Sequence, residues 1–216
     1  MWEDISRPWQ LAFIEAWNAY CAGSIPIGAV LVNSSGEVIY RGRNRIHERS
    51  APTNQICSNK LAHAEVNVLL QVGKDEAKML PDCTLYTTTE PCVLCFGAIV
   101  MSGIRRVRYA STDALAGGAD LNHSNNRFIL SRNIEMQCEH GILGIIQKVL
   151  RTDYLLRLDD KDLAERLVSY EVGQYPEAVE LGRRWYESDK LLLAKEKGMG
   201  IDRIVDDISR EIELVT

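Results

Sequence analysis

Thr84-Leu85-Tyr86-Thr87-Thr88-Thr89-Glu90-Pro91-Cys92-Val93-Leu94-Cys95-Phe96-Gly97-Ala98-Ile99 is the stretch whose reading decides the fold. Its first five residues half-alternate and are rich in β-branched and aromatic types, so they predict a strand. Thr89-Glu90-Pro91 turns the chain into a helix with Pro91 near its first position, running to Met101 and closed by Gly103. Cys92 and Cys95 stand three residues apart and share a face within one turn. A helix N-terminus favours negative charge and lowers a thiol pKa, which suits both sulfurs to metal ligation.

Upstream lies His63-Ala64-Glu65, at the start of a helix predicted over 62–71, with His63 and Glu65 in its first turn and Gly73 as its stop. One imidazole and two thiolates are ligands that zinc takes in tetrahedral geometry. Three protein ligands leave a position open, which a catalytic zinc needs and a structural zinc lacks. Glu65 is too near His63 in sequence to be an obvious fourth ligand and is suited to handling protons on a metal-bound water. Two residues apart on a regular helix do not share a face, so spacing alone does not bring both side chains to one water.

His-x-Glu followed by Pro-Cys-x-x-Cys is the signature of zinc deaminases acting on nucleobases, and the chain matches it at every letter. With the longer run 84–99, the sequence resembles the cytidine/deoxycytidylate deaminase superfamily, in the branch of tRNA adenosine, guanine and cytosine deaminases. The resemblance covers residues 6–156. It implies an α/β, three-layer α-β-α fold around a mixed five-stranded sheet. It also implies Zn2+ on His63, Cys92 and Cys95, with Glu65 as the catalytic proton carrier of a hydrolytic deamination that releases ammonia. Asn44, placed after the second strand, is then expected to hydrogen-bond the base or sugar, and main-chain groups near Ala64 and Pro91 to orient the base. A homodimer, each neighbour helping to build the pocket, is likewise what the resemblance implies. The chain departs from its relatives just before the histidine: many carry Asp-Pro-Thr there, and this sequence has Asn59-Lys60-Leu61-Ala62. That leaves the zinc chemistry intact and weakens the transfer of substrate identity.

The rest of the first part reads from its patterns. Residues 6–22 predict a helix with Ser6 as N-cap, Pro8 in the first turn and Trp9, Phe13, Ala16, Trp17 and Tyr20 on one apolar face. The apolar run 26–32, the turn Asn33-Ser34-Ser35-Gly36 and the run 37–41 predict a hairpin. A polar loop over 45–60 and a Gly-, Asn- and Ser-rich loop over 111–132 are placed to wall a pocket. Residues 104–110 predict a strand whose arginines, Arg105, Arg106 and Arg108, fit a solvated side better than a nucleic-acid stripe. Residues 133–138 predict a fifth strand and 142–156 a helix. A loop with room for a short helix between strands four and five calls for a parallel crossover.

Residues 157–216 differ in character, so two parts are expected: a deaminase domain over 1–156 and a helical extension over 157–216. The extension is charged, with helices predicted over 159–171, 176–197 and 201–213. Its stripes, Leu163, Leu167 and Tyr170, then Ile201, Ile204, Val205, Ile208 and Ile212, need a surface to cover.

Composition sets outer bounds. The chain has 216 residues, 46% apolar and 25% charged, as ordinary globular domains do. No run approaches the ~18–20 apolar residues of a membrane span, and Met1-Trp2-Glu3-Asp4 does not open a signal peptide, so a cytoplasmic location is expected. Of six cysteines, Cys21, Cys57, Cys83 and Cys138 are expected to be buried small hydrophobes, Cys57 being near enough to His63 in sequence to approach the site. A net charge of −5 argues mildly against a large polyanion as substrate.

Three functions compete. A deaminase of a small nucleobase, nucleoside or nucleotide is favoured by the acidic charge and the altered loop before His63. A tRNA-specific adenosine-to-inosine deaminase is favoured by the parallel strands and the run Glu90-Pro91-Cys92-Val93-Leu94-Cys95, but the tail 210–216 is not basic. A non-catalytic zinc-stabilised interaction protein would need a fourth protein ligand.

Overall fold

The computed structural model describes residues 1–213. Strand β1 (Gly28–Val32) is buried at every position, so its unbroken apolar run needs cover on both faces. The sheet supplies it with a helical layer on each side. Val30 and Val32 pack against helix α1 (Arg7–Cys21), whose Trp9, Phe13, Ala16, Trp17 and Tyr20 are buried as their spacing predicts. Ala29 and Leu31 pack on the opposite side with Val68, Phe96 and Ile99.

Five strands lie in the order β2-β1-β3-β4-β5. β2 (Val38–Arg43) and β3 (Thr84–Thr87) flank β1 antiparallel. β4 (Arg106–Tyr109) and β5 (Glu135–Cys138) continue from β3 in parallel. The expected three-layer mixed sheet with parallel fourth and fifth strands is therefore the fold found. The long connection between β4 and β5 holds a 3-10 helix (Ala119–His123) and a short α-helix over Arg127–Arg132.

Two helices that begin beside the sheet carry the motifs: α2 (Ala64–Leu69) and α3 (Val93–Ser102). Both start later than the sequence suggests. His63 is the N-cap of α2, not a first-turn residue, and Cys92 is the N-cap of α3, which leaves Pro91 outside the helix. The cause is backbone geometry: His63 (ψ 158°) and Cys92 (ψ 173°) are extended, so neither has entered the helical turn. Gly42 of β2 sets the depth of α2, since a Cβ there would stand 2.8 Å from the Ala64 carbonyl oxygen and 2.9 Å from the Val68 nitrogen.

With the helix over Arg127–Arg132 counted as α4, the next is α5 (Gly141–Leu156), buried almost all round. The extension encloses it with α6 (Lys161–Val172), α7 (Pro176–Glu187), α8 (Lys190–Glu196) and α9 (Ile201–Glu213). Its core merges with that of α1: Trp185, Leu191, Ile204, Val205 and Ile208 share one cluster with Phe13, Trp17 and Val149. The Trp17 indole donates to the Met199 carbonyl at 2.9 Å.

Two expectations for the extension change. The single helix over 176–197 is two helices, because Asp189 takes a left-handed conformation (φ 53°), with its carboxylate accepting from Arg157 at 2.9 Å. The stripe Leu163, Leu167, Tyr170 is not the buried face of α6. Small Ala164 and Val168 dock with Glu171, and Tyr170 is exposed. The stripe on α9 is buried at Ile201, Ile204, Val205 and Ile208, with Ile212 packed beside it. Residues 214–216 of the tail over 210–216 lie outside the described residues. Among the described residues, no helix is long and apolar enough to cross a membrane.

Arg106 and Arg108 of β4 are half-buried, the first donating to the Asp82 carbonyl and the second pairing with Glu135 at 2.8 Å, so they form no open basic stripe. Cys83 is buried, whereas Cys21, at the edge of the α1 core, and Cys57 and Cys138 are only half-buried.

Candidate active site

His63 and Cys92 face each other because each ends a segment of extended chain and opens a helix. The His63 Nδ1 lies 3.4 Å from the sulfur of Cys92 and 3.4 Å from that of Cys95, which sits one turn into α3. Zinc bonds of about 2.0–2.1 Å to nitrogen and 2.3 Å to sulfur, at tetrahedral angles, separate those atoms by about 3.6 Å. The three ligand atoms all lie within 4.8 Å of one another, so these residues fit the ion. Among the described residues, no fourth side chain joins this cluster, and Cys57 does not approach it. Both helices start here, and their free N–H groups favour thiolate ligands.

The two thiols are unlike. The hydrogen bond from Cys95 holds Cys92 down to about 4, with His63 helping and burial opposing. The same bond and burial push Cys95 up. His63 is raised, first by its bond to Cys92, against its burial.

Glu65 is buried one residue inside α2. The N-cap kink removes the difficulty posed by i, i+2 spacing: His63 is not on the helix, so its ring and the Glu65 carboxylate converge. Glu65 Oε1 accepts from the Thr87 hydroxyl at 3.0 Å, and Oε2 lies 3.2 Å from the Cys95 sulfur. Burial pushes this carboxyl up, so a group that ordinarily stays ionised is readied to hold a proton.

A cavity of about 210 Å³ opens over these residues and also reaches Asn44, Ala64, Asp113, Arg151 and Leu167. Asn44 is buried, its Oδ1 accepting from the Ile46 N–H at 3.2 Å. Ala64 lines the cavity at the first position of α2. Pro91 does not: it is buried, and its carbonyl accepts from the Gly118 N–H at 2.9 Å.

The far wall includes the start of the 111–132 loop, as its composition led one to expect, but its union with α5 and α6 is not announced by the sequence. Glu90 fixes the 111–119 loop, its two oxygens accepting from the N–H groups of Asp113 and Ala119, each at 3.0 Å. Gly117 lets that loop close, because a Cβ there would stand 2.5 Å from the Glu90 carboxyl carbon. Asp113 receives Arg151 of α5 at 3.0 Å. The available signal was on α5 itself: Gln147, Lys148, Arg151, Thr152 and Asp153 interrupt an apolar helix, and buried polar groups require partners. Leu167 brings α6, and hence the extension, to the cavity.

The family model described as cytidine and deoxycytidylate deaminase zinc-binding region matches residues 3–111. Cytosine deaminase of Candida albicans is 32% identical over 136 residues, covering 62% of this chain and 84% of that protein. A tRNA-specific adenosine deaminase of Streptococcus pyogenes serotype M3 is 32% identical over 164 residues, covering 74% of this chain and 88% of that one. A crystal structure of a mutant protein in complex with 8-azaguanine aligns over 68% of this chain and 83% of that chain, with 23% identity and a TM-score of 0.51. That likeness concerns the fold alone. By its sequence, its His63, Cys92 and Cys95 cluster fit for zinc and its sheet, this chain belongs to the cytidine and deoxycytidylate deaminase zinc-binding family.

Proposed function

We propose that this deaminase acts on a small molecule: a nucleobase, nucleoside or nucleotide. One observation carries that choice. The cavity measures about 210 Å³ and is walled by Leu167 of the extension, below the ~300–1,000 Å³ typical of drug-sized ligands. The space takes one heterocycle, and a net charge of −5 disfavours its delivery on a polyanion.

Zinc held by His63, Cys92 and Cys95 would make a water nucleophilic near neutral pH. Glu65 accepts a proton from that water as its oxygen bonds to the amino-bearing ring carbon. Glu65 then delivers that proton to the ring nitrogen, takes the second from the hydroxyl now on the ring carbon and passes it to the amine, and the carbon–nitrogen bond breaks to leave a ring carbonyl and ammonia. Thr87 holds the carboxylate at 3.0 Å through this traffic. Asn44 offers its side-chain amide to the substrate, and Ala64 an N–H from the first turn of α2. Pro91 acts indirectly, by fixing Gly118.

The reading includes a deaminase domain over 1–156, a helical extension over 157–216, a cytoplasmic location and a homodimer. The dimer has a surface to use: Val93, Leu94 and Met101 expose apolar side chains along α3, and sedimentation of Met101→Glu against the parent tests it. A tRNA adenosine deaminase is the second reading, favoured by the long alignment to the streptococcal enzyme.

The test is ammonia release from zinc-loaded protein. Substrates are cytosine, adenine, guanine, their nucleosides and monophosphates, and an anticodon stem-loop with adenosine at the wobble position; Glu65→Ala is the blank. Turnover of a small molecule supports the proposal. Turnover on RNA alone transfers it to the second reading.

A further inference from the structure

We propose that Arg151 is a substrate-binding residue that reads a ring carbonyl, so that the substrate is an oxo-bearing base rather than adenine. This rests on the small-molecule deaminase reading and names the class of base within it. Arg151 lies in the middle of α5, remote in sequence from both motifs, yet it lines the same cavity as Glu65 and the zinc ligands.

Its guanidinium is held from two sides. Nη1 donates to Asp113 Oδ2 at 3.0 Å. Nε sits 3.0 Å from Glu171 Oε1 of α6, although its N–H is not aimed along that line. Glu171 is in turn paired with Lys148, which donates to the Thr112 carbonyl at 2.6 Å. Asp113 is fixed by the N–H groups of Leu115 and Ala116 at 3.1 and 3.0 Å. Glu171 and Lys148 have 3% and 2% of their side chains exposed, whereas Arg151 has 12%. The exposed part matters. Among the described residues Nη2 has no hydrogen-bond partner, and it is not among the buried atoms shut away from solvent, as Nε is. Arg151 thus spends part of its fork on the protein and keeps the remainder for the cavity.

Charge decides what that remainder meets. Two cations, Lys148 and Arg151, face two carboxylates, Asp113 and Glu171, so the cluster carries no surplus to attract a phosphate. Glu65 and Glu90 line the same cavity and would repel one. A neutral acceptor is the partner that remains. Nη2 has two hydrogens, and a carbonyl oxygen offers two lone pairs where a ring nitrogen offers one. Cytosine and guanine carry such an oxygen and adenine does not. An acceptor absent from the ligand would leave the guanidinium desolvated without return, which is how a polar site rejects an analogue.

Matched pairs test this: cytosine against 4-aminopyrimidine, and guanine against 2-aminopurine, each partner lacking the oxo group and, with it, the adjoining ring N–H. Binding is measured by calorimetry to zinc-loaded Glu65→Ala, which separates recognition from turnover. A hydrogen bond to a charged donor predicts at least tenfold tighter binding of the oxo member of the preferred pair. In the Arg151→Gln background that gap closes, and in Arg151→Lys it narrows. In enzyme with Glu65 intact, Arg151→Gln raises KM with little change in kcat, since the contact is made alike in ground and transition states. Zinc content and melting temperature accompany each variant, and the ratio within a pair is insensitive to a partly unfolded fraction. Should Arg151→Gln fail to fold, the pair ratio on Glu65→Ala alone still decides. Equal binding of both members, a gap that survives Arg151→Gln, or binding of neither pair overturns the role given to Arg151. Absence of deamination on every substrate would instead overturn the proposed function, whatever the calorimetry shows.

Discussion

The two walls of the cavity are put together differently. His63, Glu65, Cys92 and Cys95 lie within 32 positions of one another in sequence and are brought together by two adjacent helix starts. Asp113 and Arg151 come from a loop and α5, distant in sequence, and Leu167 of α6 joins them only when the extension packs. The first wall holds what the chemistry needs regardless of the base. The second holds groups that distinguish one base from another. A short motif therefore names the reaction, and long-range packing names the substrate.

The sharpest way to break that division is at the first wall. Glu65→Ala should keep its zinc and lose about 10²–10⁴ in kcat, the usual worth of a positioned acid–base group. Ammonia release and elemental analysis check both halves. Cys92→Ala should lose the metal itself, and retention of stoichiometric zinc would refute its place as a ligand.

The hinge between the walls comes next. Gly117→Ala sets a methyl carbon 2.5 Å from Glu90, and the loop carrying Asp113 must shift. Overpacking of this kind costs about 1–3 kcal/mol, and kcat/KM should fall with it while zinc content holds. At the second wall, Leu167→Ala should raise KM severalfold with kcat little changed, because it enlarges the cavity without touching the reacting atoms. A fall in kcat alone would mean that α6 belongs to the chemistry after all.

The smallest effect is on acid stability. Burial would push the Asp113 carboxyl up, but Arg151 and the N–H groups of Ala116 and Leu115 outweigh it and hold the carboxyl below its ordinary range. A depressed folded pKa stabilises above the unfolded value and loses that contribution as pH falls through the folded one, hence below about pH 4. Melting temperatures measured between pH 5 and 3 should fall less steeply in Asp113→Asn than in the parent.

The sequence carried the first wall almost whole because its residues share short segments whose spacing encodes geometry. What it lacked was the extended backbone at His63 and Cys92, and that detail decides how Glu65 meets the metal site. The fold was legible for a related reason: each strand has its own apolar or alternating pattern. In the second wall the loop over 111–132 was legible from its composition, but no spacing tied it to α5 and α6. Arg151 reads as one polar residue on a helix until Asp113 and Glu171 are seen beside it. The face of α6 was misread because Tyr170 and Leu163 outweigh Ala164 in any hydrophobicity count, while the tight contact with α5 and α7 selects the smaller residues.

The hydrogen bond from Trp17 to Met199 spans 182 residues, and it sets an order of events during synthesis. Helix α1 leaves the ribosome with Trp17 and Phe13 uncovered, and the side chains that seal them, Ile204, Val205 and Ile208, are among the last of this sequence to be made. The sheet can assemble from strands already in hand, but its outer layer stays open until α9 arrives. Chains interrupted before residue 201 should therefore present an apolar face to chaperones and to one another, so the extension acts as a closing seal as well as a wall of the cavity.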